Sequence, residues 1–276
     1  MKPTVKIATT RTPDGGEMEL YKHDRDFTIK INDQDLMSSR QHESELELAR
    51  LGCAHLVGSK APSVLIGGLG LGYTLRQVLD MLGPHAKVVV SELLSSVVEW
   101  NREFLGELNG QPLDDKRVDL KTGDIVSLIM RSKSQFDAIL LDVDNGPSAM
   151  TSSENSRLYS YEGIMACRYA LRKHGCLAVW SAEPSKKFER LLVGGCGLHV
   201  SRFRVPAYKG VSRSHVLYGS LRKTSASCLP VAASRACRAE TSRRRVAEVS
   251  ERGTRPGGIR LKTSIFINKK ICFIIT

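Results

Sequence analysis

The chain has 276 residues, of which 41% are hydrophobic and 25% charged, a composition that suits one large globular domain or two small ones. No apolar run approaches the roughly 18 residues of a membrane span, and the opening MKPTVKIATTRTPDGGEMEL has no apolar leader core, so neither a membrane-spanning helix nor a secretory signal is expected, and a cytoplasmic location is. The net charge of +12 suggests a nucleic-acid binder, but residues 222–276 hold 13 Lys/Arg against 3 Asp/Glu, leaving the rest of the chain close to neutral and that role weakened for it.

In chain order, two alternating segments near Glu17–Lys22 and Phe27–Ile31 flank HDRD and predict a β-hairpin. HESELELARLGCAHL follows, with Leu46, Leu48, Leu51 and Leu56 at helical spacing. These residues, 1–60, form a lead-in unit of hairpin and helix. From Val64 a βα rhythm begins. Strands are expected at SVLIGG, KVVVSE, RVDLKTGD, FDAILLDVD, CLAVWSA, HVSRFRVPA and HVLYGSL. Several are continuous apolar runs, as suits strands buried on both faces. Helices are expected at TLRQVLDML, SSVVEWNREFLGEL (with Ser95 or Ser96 as its cap), IVSLIMRS, YEGIMACRYALRK and KKFERLLVGG. The rhythm predicts an α/β fold over 61–221: a doubly wound, mostly parallel, seven-stranded sheet with right-handed crossovers. YKGVSRS is too short for a crossover helix, so the last two strands should pair antiparallel. Residues 222–276 are polar, basic and aperiodic, and a disordered tail is expected there. Seven cysteines without a C-x-x-C pair predict scattered reduced thiols and no metal site.

The candidate site lies beyond the carboxyl ends of the strands, where open α/β sheets bind their ligands. Gly67, Gly68, Gly70 and Gly72 follow the first core strand, and bare backbone there admits a ligand and a sharp turn into the helix. Glu92 ends the next strand, where a carboxylate can accept both hydroxyls of a ribose. Asp124 ends the third and can accept an adenine amino group, cap the following helix, or both. Asp142 and Asp144 end the fourth; two close acids there raise each other's proton affinity and can hold an amine or take a proton. The GxGxG turn is shared by NAD(P) and S-adenosylmethionine enzymes. The acid pair on the fourth strand and the closing antiparallel hairpin favour the S-adenosylmethionine class.

These segments resemble the spermidine synthase family and its methyltransferase-like relatives over roughly residues 15–221. GGLGLGYTLRQVL is similar to the family's glycine loop and following helix, and VVVSELLSSVVEWNREFL to its ribose segment, with Glu92 in the matching place. TGDIVSLI is similar to the adenine-contact segment, which implies adenine contacts for Asp124 and Ile125. FDAILLDVDNGP followed by LYSYEGIMACRYALRKHGCLAVW is similar to the catalytic strand, gate loop and next βα unit. The resemblance implies a methyltransferase-like fold binding S-adenosylmethionine or its decarboxylated form, no metal, and a small amine as acceptor. Asp142 would orient or deprotonate the acceptor with Asp144 in support, and Tyr159 would line the acceptor pocket or pack in the core. Two departures stand out: Leu71 occupies the place of an acid in the glycine loop, and the Asp-Ser-Ser-Asp-Pro run is shortened to Asp142–Pro147. They leave aminopropyl and methyl transfer both open, together with a non-polyamine acceptor. A non-catalytic nucleic-acid binder and a dinucleotide oxidoreductase are the other classes weighed, and a homodimer is left open.

Overall fold

The computed structural model describes residues 2–12, 15–143, 157–206 and 214–222. Asp144, the shortened loop after it and the basic tail beyond residue 222 lie outside the described residues.

The expected hairpin is present as β2 (Glu17–His23) and β3 (Asp26–Ile31). It is the middle of a four-stranded antiparallel sheet, flanked by β1 (Thr4–Arg11) and β4 (Gln34–Ser38). These edge strands escape sequence reading because they are polar and short on apolar alternation. Helix α1 (Glu43–Cys53) follows. The seven-stranded sheet consists of β5 (Ser63–Gly67), β6 (Lys87–Glu92), β7 (Val118–Thr122), β8 (Phe136–Leu141), β9 (Leu171–Ser181), β10 (Leu198–Pro206) and β11 (Ser214–Arg222). Its order is β10-β11-β9-β8-β5-β6-β7, with β5 to β9 parallel. β11 runs antiparallel to both β9 and β10, the closing hairpin that the short connection predicts.

Alternation along the central strands splits the core between the two faces. Val64, Ile66, Val88, Val90, Ala138 and Leu140 pack on one side with α1, the four-stranded sheet and α2 (Tyr73–Met81). Leu65, Val89, Ile139 and Leu141 pack on the other with α4 (Ile125–Met130), α5 (Tyr161–Ala170) and α6 (Lys186–Arg190). This is why the strands read as unbroken apolar runs.

Three expectations are corrected in detail. The helix expected over residues 95–108 is α3 (Ser95–Trp100), then a π-helical turn Asn101–Leu105 and a 3₁₀ turn Gly106–Leu108. Its cap position is Leu94, with no side-chain bond, so neither Ser95 nor Ser96 caps it. The buried face of α1 is Ser44, Leu48, Ala49, Gly52 and Cys53, while Leu46 and Leu51 stay partly exposed. The helix lies so close to β8 that a Cβ on Gly52 would sit 2.2 Å from Leu140 Cδ2, so small residues line the contact.

The four cysteines among the described residues, Cys53, Cys167, Cys176 and Cys196, are buried. No helix among the described residues is long and apolar enough to cross a membrane.

Candidate active site

The chain reverses direction across the sheet between β5 and β8, which opens a crevice at their carboxyl ends. The glycine loop enters it from β5. The Gly67 carbonyl accepts the Asp142 N–H at 2.9 Å, which locks the ends of β5 and β8 together. Gly68, Gly70 and Gly72 have φ of +91°, +52° and +83°, in the region that disfavours side chains. At Gly68 there is also no room: a Cβ would lie 2.2 Å from the carbonyl oxygen of Asp142. Two buried asparagines, unnoticed in the sequence, hold the far side of the loop. Asn101 Nδ2 donates to the Gly70 carbonyl at 2.8 Å and to Val97 O at 2.9 Å, and Asn109 Nδ2 donates to the Leu71 carbonyl. The signal was present as a polar residue inside VVEWNREFL, an otherwise apolar face.

Glu92 is buried at 8% exposure at the end of β6. Its carboxylate accepts the N–H of Leu69 at 2.8 Å and of Leu94 at 3.0 Å. Burial pushes its pKa up, and the surrounding amides of Leu94, Leu69, Gly70 and Leu93 pull it back part of the way. Asp124 caps α4, accepting Val126 N at 2.9 Å, Ser127 N at 3.1 Å and Ser127 Oγ at 2.8 Å. Burial raises its pKa, but the Ser127 hydroxyl and the two amides more than offset this and leave it below the ordinary value. Ile125 is buried against the place where Gly67 lacks a side chain, 3.1 Å from a built Cβ.

Beside the loop lies a cavity of about 100 Å³. Leu36, Met37, Leu69 and Leu71 give it apolar walls, Tyr73 and Trp180 aromatic ones, and Glu45, Thr74 and Asp142 its polar groups. Asp142 accepts a 2.7 Å bond from Thr74 Oγ1. Burial raises the pKa of Asp142, and burial together with the charge of Asp142 raises that of Glu45. Burial, then the charges of Glu45 and Asp26, push Tyr73 up to about 12. The indole Nε1 of Trp180 is buried with no hydrogen-bond partner among the described residues. A donor left so at a cavity wall suits a ligand atom carrying a lone pair.

Glu45 is the member that sequence reading missed, because α1 reads as a packing helix whose carboxylates face water. Tyr159 is not among the cavity's lining residues; it is buried, its hydroxyl donates to Val143 O at 3.1 Å, and its ring meets Phe188 edge-on at 5.8 Å. It steadies the segment that carries Asp142. No cluster of three or more potential metal ligands occurs among the described residues.

The raised pKa of Glu45 carries a stability consequence. The folded chain holds this proton more tightly than the unfolded one, so the contribution is full below about 4.3, the ordinary glutamate value, and is lost as pH rises through the raised value. Glu45→Gln removes the buried charge. The expected result is a higher melting temperature than wild type at pH 8 and a nearly equal one at pH 4, read by thermal melts in matched buffers.

The sheet order, glycine loop and strand-end acids define an α/β protein of the methyltransferase-like type. Residues 51–190 match the model of the spermine/spermidine synthase domain, and the chain belongs to that family. It is 32% identical over 127 residues to the polyamine aminopropyltransferase of Saccharolobus solfataricus, covering 46% of this chain and 41% of that one. It is 30% identical over 169 residues to polyamine aminopropyltransferase 2 of Pseudomonas aeruginosa, covering 60% and 45%. The matches thus span less than half the length of both relatives. Among solved structures, spermidine synthase in complex with the transition-state analogue AdoDATO superposes with a TM-score of 0.62 at 17% identity, covering 80% of this chain and 73% of that one. Spermidine synthase from Thermotoga maritima gives 0.61 at 17%, covering 80% and 74%.

Proposed function

We infer that the chain is a transferase that moves an aminopropyl group from decarboxylated S-adenosylmethionine to a small amine. The observation that carries this is the Glu45–Asp142 carboxyl pair in a small cavity against the glycine loop. A carboxylate pair with aromatic and apolar walls suits an aliphatic amine, whose cation the acids hold and whose stem the walls cover. Family membership and the names of the curated relatives support the same chemistry.

The residues fit the cofactor. Gly68 and Gly70 leave bare backbone at the mouth of β5, Glu92 is a buried acceptor at the end of β6, and Asp124 and Ile125 stand at the end of β7. A Cβ on Gly123, between β7 and α4, would meet nothing within 4 Å among the described residues, which leaves room at that edge of the crevice. Glu92 would hold the ribose, and Asp124 with Ile125 the base. When bound, the cofactor supplies a carbon beside a sulfonium that a neutral amine can attack. Asp142 takes the proton that keeps the amine cationic, Thr74 fixes its carboxyl group by donating to one oxygen, and Tyr159 holds the backbone behind it.

Leu71 favours a second reading. It puts an apolar group in the cavity wall where the family resemblance leads to an acid, which suits an acceptor other than a diamine and transfer of methyl from S-adenosylmethionine. Thermal stabilisation by decarboxylated S-adenosylmethionine against S-adenosylmethionine, followed by mass analysis of products from a panel of amines, separates the two. A shift with S-adenosylmethionine alone, and a methylated product, would overturn the aminopropyl reading.

Glu92 gives a direct check on the cofactor. Charge-assisted hydrogen bonds are worth roughly 1.5–3 kcal/mol each, so Glu92→Ala is expected to weaken binding of decarboxylated S-adenosylmethionine tenfold or more by calorimetry. Because Glu92 also holds the Leu69 amide, Glu92→Gln is measured beside it. Unchanged affinity in a folded variant removes Glu92 from the site.

A further inference from the structure

An amine that attacks a carbon must first lose a proton, and that proton must leave a cavity walled by Leu36, Met37, Leu69 and Leu71. Behind the carboxyl pair runs a hydrogen-bonded chain that nothing in the catalytic reading uses. Ser44, fully buried on α1, donates its hydroxyl to Glu45 Oε2 at 2.5 Å. The same Oγ lies 3.0 Å from Nδ1 of His215 on β11. The His215 ring packs on Trp180, a cavity wall, at 4.7 Å, and is half-buried, so it connects the cavity with the outside of the sheet.

We propose that Glu45, Ser44 and His215 form a proton relay that carries the acceptor's proton out of the cavity. This rests on the amine-alkylation reading of the site. The acid that touches the amine takes the N–H proton, and the amine keeps the electron pair. The proton is shared within the Glu45–Asp142 pair. Protonated Glu45 then donates to Ser44 Oγ, the hydroxyl turns its own hydrogen to His215 Nδ1, and the imidazolium releases a proton to water. Each bond broken to hydrogen is matched by one formed, and no co-reactant is needed. The titratable groups around Glu45 are Asp142 at the end of β8, the Tyr73 phenol from α2 and, through Ser44, His215 from β11; β9 contributes the neutral Trp180. Burial and the neighbouring charge of Asp142 raise Glu45, so it is the member of the pair that already holds a proton near neutral pH and hands it on to Ser44 as another reaches the pair.

The test begins without substrate. The imidazole nitrogens of ¹⁵N-labelled full-length protein are titrated by NMR, with His199 as internal control. In the wild type the His215 curve is expected to carry a second inflection from the carboxyl pair. Ser44→Ala and Glu45→Gln are each expected to remove it and to leave the His199 curve in place. A His215 curve that is the same in wild type and Ser44→Ala overturns the relay. The second arm uses decarboxylated S-adenosylmethionine with putrescine. There Ser44→Ala is expected to lower kcat about tenfold or more with KM within about twofold, as loss of one proton-transfer partner predicts. An unchanged kcat also overturns the relay. A wild type that turns over no amine sinks the aminopropyl reading instead, and the imidazole titration still decides whether the chain is coupled.

Discussion

Asp142→Asn is expected to lower turnover by about 10²-fold or more and to leave affinity for decarboxylated S-adenosylmethionine nearly unchanged, in line with loss of a positioned general base. The substitution keeps the planar shape and an oxygen that can still accept the Thr74 hydroxyl, which lies 2.7 Å from the carboxylate now. It removes the charge that draws a cationic amine and the basic site that takes its proton. A hundredfold loss corresponds to about 2.7 kcal/mol of transition-state stabilisation, at 1.36 kcal/mol per tenfold. The pH profile should change with it. Burial raises Asp142, so the wild-type acid limb should lie above the ordinary aspartate range, and activity should climb as pH rises through that raised value. The variant should lose the part of that limb due to Asp142. Turnover close to wild type would make Asp142 structural and pass the role to Glu45 or to Asp144.

The division between what the sequence shows and what it hides follows from the range of the interactions. Strand cores such as VLIG, VVVSE and AILL are legible because burial on both faces demands unbroken apolar runs, and the glycine loop is legible because its turn demands positive φ. Glu92, Asp124 and Asp142 are legible because each ends a strand, where the fold itself aims side chains at the crevice. Glu45, Trp180 and His215 are different. Nothing local marks them, since Glu45 is one of several acids on α1, and only the sheet order brings α1, β9 and β11 together beside the cavity. Asn101 is hidden for a related reason: its bond to the Gly70 carbonyl spans 31 positions, and it stands where α3 gives way to a π turn. Leu71 shows the converse. Its departure from the family resemblance is plain in the sequence, but only the structure shows a carboxylate from α1 lining the same cavity.

The glycine loop offers the other large effect. Gly68→Ala is expected to destabilise the fold by about 3 kcal/mol or more, from two sources. A φ of +91° is unfavourable for a residue with a side chain, at roughly 1–2 kcal/mol. The new Cβ would also stand 2.2 Å from the Asp142 carbonyl, backbone that cannot rotate away, and overpacking of this kind costs about 1–3 kcal/mol. Relief requires β5 and β8 to part where Asp142 N bonds Gly67 O, so Asp142 should shift and turnover should fall together with stability. Gly70→Ala separates conformation from contact. Its φ of +52° lies in the left-handed region, and among the described residues its Cβ would meet only the flexible Met37 side chain, with Sδ at 3.3 Å. It should cost about 1–2 kcal/mol, the conformational part alone. Denaturant unfolding of both variants, compared at equal slope, measures the difference. Equal midpoints for the two would mean that the close approach at Gly68 is relieved at no cost, and the lock between the ends of β5 and β8 would then not be what fixes the position of Asp142.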